Sequence, residues 1–362
     1  MIQNERNYGI DSLRIVSMFM IVMLHVLGAG GILSHSAYGT SRYYCFWSLE
    51  NLILCAVNCY ALISGYVGVY SKFKPKNIVM LWLQVEFFSL GIALFLYFMF
   101  PGAFGLRDIL KSALPVICER YWYFTAYFAM FFFTPFMNRF VCETPKAALK
   151  KFFIAVFVLL SVLPTLADKD VFYTMNGYSA LWLMVMYLLG AYIRHYSVLS
   201  QKKSAFFMGV FGVAIVCNWI AKFGLAAVSV RLLGNESVHA NILLEYTAPT
   251  IVVASVMLLC LFSKLRLNRF WLALVKFLSP LTFGVYLVHM QPMIWTLLGD
   301  SPLAWLLELP LHAMIARFAL LVIVIYLMSS ILEWIRRLLF RLLRIDKIVG
   351  KLIDKIAFTN DK

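Results

Sequence analysis

Ten apolar stretches of membrane length follow one another along the 362-residue chain. They run over about 12–33, 45–70, 78–100, 121–141, 151–167, 178–194, 205–226, 240–262, 279–298 and 311–333. A bilayer core takes roughly 20 apolar residues to cross as a helix, and only helices and closed barrels satisfy their backbone inside it. The lengths therefore predict an all-α fold, a polytopic membrane helix bundle of about ten transmembrane helices. Composition agrees: 63% of the residues are hydrophobic and 14% charged, whereas soluble domains are nearer half and a quarter. No repeat or low-complexity linker divides the spans, so 1–333 reads as one transmembrane domain and 334–362 as a tail. The first apolar run is too long for a signal sequence and is expected to stay as helix one.

The net charge of +15 would suit nucleic acid, but its distribution excludes that reading. Twenty-three of the 32 Lys and Arg residues fall in alternate segments that share a face if the N-terminus is cytoplasmic, and six fall in the others. The positive-inside rule then puts both termini in the cytoplasm. Residues 102–120 carry three of those six and predict a short amphipathic or re-entrant element. The tail from Trp334 to Phe358 mixes apolar and basic residues at helical spacing, as expected of an amphipathic helix on an anionic inner leaflet. The seven cysteines form no CxxC and no metal-ligand spacing, so no metal site is expected.

Within the first run, Gly9 to Gly31, stand Arg14 and His25. Ionisable residues inside a membrane cost several kcal/mol and are functional candidates by default. Eleven positions bring a helix round to within about 20° of the same face, ~16 Å further along. Asp11, one turn before Arg14, is expected to cap the helix or orient the guanidinium. Ser279-Pro280 reads as an N-cap with proline at the first helical position, which makes 271–278 a separate interfacial piece. On that count His289 and His25 both fall at mid-bilayer, with Tyr286 on the face of His289. Glu86, at a matching depth in the third span, is a candidate partner for His25, His289 or Arg14. Asn51 and Asn58 share a face of the second span, where hydrogen bonding between helices is the default.

At these residues the sequence resembles the integral-membrane acyltransferase family 3. That family carries an Arg, ten residues and a His in its first helix, matched by Arg14 and His25. Three further stretches match in order: A-L-I-S-G-Y (61–66), W-Y-F-T-A-Y-F…T-P-F-M-N (122–138, beginning at Trp122) and T-F-G-V-Y-L-V-H (282–289). Ser12 and Ile15 stand where many members have glycine, and Arg120-Tyr121 where relatives often have a histidine; the branch most resembled is that of single-domain sugar and lipid-sugar O-acetyltransferases.

The resemblance implies transfer of an acetyl group from cytoplasmic acetyl-CoA, a co-substrate and not a resident cofactor, to a hydroxyl of an extracytoplasmic or lipid-linked glycan. It implies a multi-pass protein of the plasma or inner membrane, working beside glycan-assembly proteins. His25 is then the expected catalytic base and Arg14 the contact for CoA phosphates. Asp11, Glu86, Tyr286, His289, Asn58 and Trp122 are supporting candidates. Two other classes remain open: a glycolipid transporter or flippase with buried charges along its path, and a structural subunit of a glycan-assembly complex.

Overall fold

The computed structural model describes residues 6–360, so the outermost ends of the two expected segments, 1–5 and 361–362, lie outside the described residues. The described residues are helical with no strand. Ten long elements run between two faces: α1 (Tyr8–Gly28), α2 (Ser41–Gly68), α3 (Pro75–Met99), then, after a short α4 (Leu106–Ser112), α5 (Trp122–Glu143), α6 (Lys146–Ala167), α7 (Ala180–His195), α8 (Ser204–Leu233), α9 (Pro249–Ser263), α10 (Arg269–His289) and, after a short α11 (Pro292–Leu298), α12 (Leu311–Leu342). A last helix, α13 (Ile345–Asn360), follows. Seven of the ten are long and apolar enough to cross a membrane; α5 is as long but less apolar, and α7 and α9 are shorter apolar helices.

Helix ends follow local chemistry. Asn7 caps α1, its side chain accepting from the backbone N–H groups of Gly9 and Ile10 at 2.9 and 3.3 Å. Thr40, Ser179 and Asn268 cap α2, α7 and α10 in the same way. Proline fills the first position of α3 and α9, where no N–H is needed. Asp11 is therefore not the cap: the helix begins a turn earlier than the apolar run suggests.

α1 is the central helix, packed on α2, α9, α10 and α12. α2 and α7 approach most closely, because a Cβ at Gly65 would overlap the Tyr187 carbonyl and one at Gly190 the Leu62 carbonyl. Small residues are how membrane helices achieve such approach. Asn138 of α5 joins the same pair, donating to the Gly68 carbonyl at 2.9 Å and accepting from the Tyr187 hydroxyl at 2.8 Å. The outer helices instead present large apolar side chains outwards, among them Phe95, Phe98, Phe136, Val213 and Ile220, the surface that lipid solvates.

The connecting segments sort onto two faces. Asn7 donates to the Ser263 carbonyl, Lys264 to the carbonyls of Ser200 and Lys202, Tyr70 meets His195 and Lys76 pairs with Asp346, which gathers the basic segments on one side, here the N-terminal face. Opposite, Leu303 N–H donates to Gly30, Arg42 to Leu309, and His239 pairs with Asp168.

Three expectations are corrected. The ninth span is Arg269–His289, not 279–298. Ser279 is helical (φ −55°, ψ −40°) and Pro280 is accommodated by a 3₁₀ turn inside the span rather than starting it. His289 thus ends its helix, and His25 lies seventeen residues, about 26 Å, along the 21-residue α1. Both imidazoles sit nearer the far end of their helices than the middle. Lastly, Trp334–Leu342 continues α12, and the chain turns only at Arg344 (φ +53°) into α13. The short element expected at 102–120 is α4, held to α3 by the Ser89 hydroxyl donating to the Ser112 carbonyl at 2.7 Å.

Candidate active site

One stripe of α1 carries Asp11, Arg14, Met18, Ile21 and His25, positions that recur on one helical face. At its start the Asp11 carboxylate is a hub. It accepts from Arg6 at 2.6 Å, from Arg14 at 3.1 Å and from the Ser279 hydroxyl at 3.0 Å. Arg14 also reaches the Ser279 hydroxyl at 3.4 Å and remains partly exposed at 27% of its side chain, so part of its fork is open to a ligand. The carboxylate beside Arg6 raises that guanidinium further above its ordinary range.

At the other end of the stripe the two histidines meet: His25 Nδ1 and His289 Nε2 are 2.9 Å apart. His289 Nδ1 lies 2.6 Å from the Val285 carbonyl, which only accepts. The hydrogens follow from that contact. His289 Nδ1 carries hydrogen, so in the neutral ring Nε2 is the acceptor. His25 Nδ1 is then the donor, and the lone pair of His25 is left on Nε2. Among the described residues Nε2 has no partner, and His25 lines a cavity.

That cavity is aromatic, bounded by Tyr60, Trp122, Tyr123, Tyr246, Phe283 and Tyr286, with Met18 and Ile21 from α1. Its free volume is about 20 Å³, enough for one water. The hydroxyls of Tyr60, Tyr123 and Tyr286 are buried with no hydrogen-bond partner. Buried hydroxyls normally find partners, so three orphans around one histidine mark a place where a polar ligand belongs. Tyr123 packs against both Tyr60 and Tyr286, with ring centroids 6.2 Å apart in each case, and Tyr286 lies 6.5 Å from His25. Towards the opposite face, Trp122 stacks on Tyr246 (17° between planes) and contacts Tyr178 at 4.5 Å. Glu245 lies there beside Asp168 and Asp170; burial first, and then those two carboxylates, push its carboxyl above the usual range.

The structure brings together Arg14 with Asp11, His25 with His289 and Tyr286, and Trp122 across the same cavity. It does not bring Glu86 to them. Glu86 lines an apolar groove between α3 and α12, with one carboxylate oxygen buried and unpartnered, and hydrogen-bonds to none of His25, His289 or Arg14. Depth along a helix does not give rotation about it. Asn58 is fully committed to packing: it donates to the Tyr246 carbonyl at 2.7 Å and accepts from Trp182 Nε1 at 2.9 Å. Tyr60, Tyr123 and Tyr246 were missed. Tyr123 stands within the matched W-Y-F-T, and Tyr60 directly before A-L-I-S-G-Y, so motif position was the available signal. The described residues contain no group of side chains fit to hold a metal ion.

The fold and site define a polytopic helical membrane protein with a histidine pair enclosed among aromatic side chains. The family model for the acyltransferase domain of the acyltransferase-3 type matches residues 7–334, nearly the whole chain, and the protein belongs to that family. It is thus a membrane acyltransferase. No curated protein and no solved structure gives a significant match.

Proposed function

We propose that the protein moves an acetyl group from acetyl-CoA to a hydroxyl of a glycan or lipid-linked sugar, with His25 Nε2 as general base. The observation that carries this reading is the fixed tautomer. The Val285 carbonyl orients His289, His289 orients His25, and His25, its Nε2 lone pair free, lines a cavity with three unpartnered phenols.

A sugar hydroxyl is a weak nucleophile until its proton is removed as the new bond forms. An imidazole with an ordinary pKa of about 6.5 suits that task near neutral pH. His25 Nε2 takes the proton while the hydroxyl oxygen attacks the thioester carbon. The oxyanion that develops on the carbonyl is met by donors from among Tyr60, Tyr123 and Tyr286, already in place and needing no reorganisation. The tetrahedral centre collapses, the C–S bond breaks, and the Nε2–H of the imidazolium protonates the departing thiolate. Through the cycle Nδ1–H keeps its bond to His289, because both neutral and protonated His25 donate there.

The donor arrives from the N-terminal face, taken as cytoplasmic. Its phosphates meet Arg14, whose planar fork suits them, and the ~16 Å rise to His25 matches a pantetheine arm. The acceptor arrives from the opposite face past Trp122, Tyr178 and Tyr246, rings on which a sugar can stack. A glycolipid transporter would need no free histidine lone pair and no three-phenol cradle.

The test is His25→Gln, close in size and polarity. The expected result is a loss of at least ~10²-fold in kcat, the lower range for general-base work, with CoA binding and thermal unfolding unchanged. Activity within tenfold of the wild type on a folded variant would end the proposal.

A further inference from the structure

Two basic clefts open on the N-terminal face, and the geometry separates them. One is lined by Arg6, Tyr8, Arg194, Lys264 and Arg266. Its Arg6 shares Asp11 with Arg14, but its body lies behind α1, where Gly9, whose Cβ would overlap the Phe262 carbonyl, is about 140° around the helix from Arg14. The other, between α3, α12 and α13, is lined by Lys76, Gln84, Arg336, Arg337, Arg341 and Asp346 and holds about 550 Å³, within the roughly 300–1,000 Å³ of small-molecule sites.

This second cleft also joins the site, from the side of α10. Arg337 donates to the Pro280 carbonyl at 2.9 Å, and the residue before it, Ser279, hydrogen-bonds Asp11 and Arg14. Consecutive residues lie about 3.8 Å apart, so the cleft begins one residue from the partner of Arg14.

Its charges are not balanced from within. Arg336 is neutralised by Glu333 through paired bonds of 2.8 and 2.6 Å, in the space Gly284 leaves by lacking a side chain. Lys76 is paired with the exposed Asp346 at 2.8 Å. Arg337 hydrogen-bonds only a carbonyl and shares the attraction of Glu333 with Arg336, while Arg341, a like charge beside it, has no hydrogen-bond partner among the described residues, so four cations meet two carboxylates. Cations gathered around a cleft of ligand size, with Glu333 and Asp346 already engaged, call for an anion.

We infer that this cleft binds phosphate, namely the 3′-phosphate of the donor nucleotide: the pantetheine arm occupies the stripe from His25 to Arg14, the diphosphate stands at Arg14, and the phosphorylated ribose overhangs into Lys76, Arg337 and Arg341. The inference rests on acetyl-CoA being the donor. An anionic lipid headgroup carries the same chemistry, and the experiment separates the two.

CoA and 3′-dephospho-CoA are compared as ligands of the full chain in nanodiscs, made once with zwitterionic lipid only and once with added phosphatidylglycerol. Wild type should favour CoA by about tenfold or more in both. Arg341→Gln with Lys76→Gln, both at the surface, should reduce that preference to about one while leaving dephospho-CoA affinity unchanged. Wild type that binds both ligands equally, or a double variant that keeps the preference, overturns the inference and leaves the donor assignment standing. A variant whose only change is lost response to phosphatidylglycerol assigns the cleft to lipid and also overturns it. Wild type that binds neither ligand instead overturns the donor assignment, and the inference falls with it.

Discussion

Removing the acceptor from His289 is the most direct test of the histidine pair. His289→Leu keeps the volume of the buried site but leaves His25 Nδ1–H with nothing to meet at 2.9 Å. A buried donor without a partner costs about 1–3 kcal/mol. The ring escapes that cost by shifting its proton to Nε2 or by turning, and both remove the lone pair from the cavity. With 1.36 kcal/mol per tenfold in rate, kcat should fall about ten- to a hundredfold, the scale of losses seen when orienting partners are removed. His289→Gln is the counterpart: its amide oxygen can stand near the position of Nε2 and accept again, so activity should recover by several-fold over the leucine variant. The assay is thiol release from acetyl-CoA by purified protein, with CoA affinity and thermal unfolding measured alongside. A purely structural His289 would lower the unfolding temperature and leave the kcat of folded molecules alone. A folded His289→Leu within threefold of wild-type kcat would refute the tautomer argument.

Arg14→Ala should raise KM for acetyl-CoA more than it lowers kcat, since phosphate contact persists from ground to transition state, and Arg14→Lys should recover only part of the loss; steady-state kinetics decide this. Gly65→Ala forces a methyl into the Tyr187 carbonyl and should destabilise the α2–α7 contact by about 1–3 kcal/mol, read as a lower unfolding temperature in detergent. Glu236→Gln leaves the buried Lys222, paired with Glu236 at 2.5 Å, without its counter-ion and should cost about 3–5 kcal/mol, while adding Lys222→Met should restore much of it; unfolding temperatures of the single and double variants check this. Reporter fusions after residues 37, 172 and 304 should read extracytoplasmic, and after 147 and 267 cytoplasmic.

How far the site was legible follows from what a sequence encodes directly. Helical period relates Arg14 to His25 within one helix, and Met18 and Ile21, between them on that face, line the cavity with His25. Helix starts are harder, because a cap lies outside the apolar run it serves. Asn7 precedes the run and caps it, which released Asp11 to hold Arg6, Arg14 and Ser279. Ser279-Pro280 carries the composition of a helix start, yet Asn268 caps the span eleven residues earlier and the proline is absorbed by a 3₁₀ turn. The meeting of His25 with His289, 264 positions apart, depends on how α1 and α10 cross, which no local pattern reports. The motif residues also divide. Gly65, Asn138 and Gly284 make room or tie helices, whereas Trp122, Tyr123 and Tyr286 line the cavity and His289 holds His25 at its edge.

The pairing of two histidines has a physical reason in this setting. In soluble hydrolases a carboxylate usually orients the catalytic imidazole and stabilises its protonated form. Inside a membrane protein that carboxylate would be a buried ion, costing several kcal/mol before any chemistry begins. The Val285 carbonyl and His289 provide the same hydrogen-bond direction with no formal charge. The resting pair therefore needs no carboxylate, and in the proposed reaction charge would exist only while the tetrahedral intermediate does. In the proposed reaction the imidazolium of His25 and the oxyanion would arise together, beside a cavity whose aromatic faces favour a cation and whose three phenols favour an anion. Both charges would vanish when the thiolate left with the proton. Such a site stabilises separated charge in the transition state and has little of it to stabilise in the ground state, which is the condition for binding energy to accelerate a reaction.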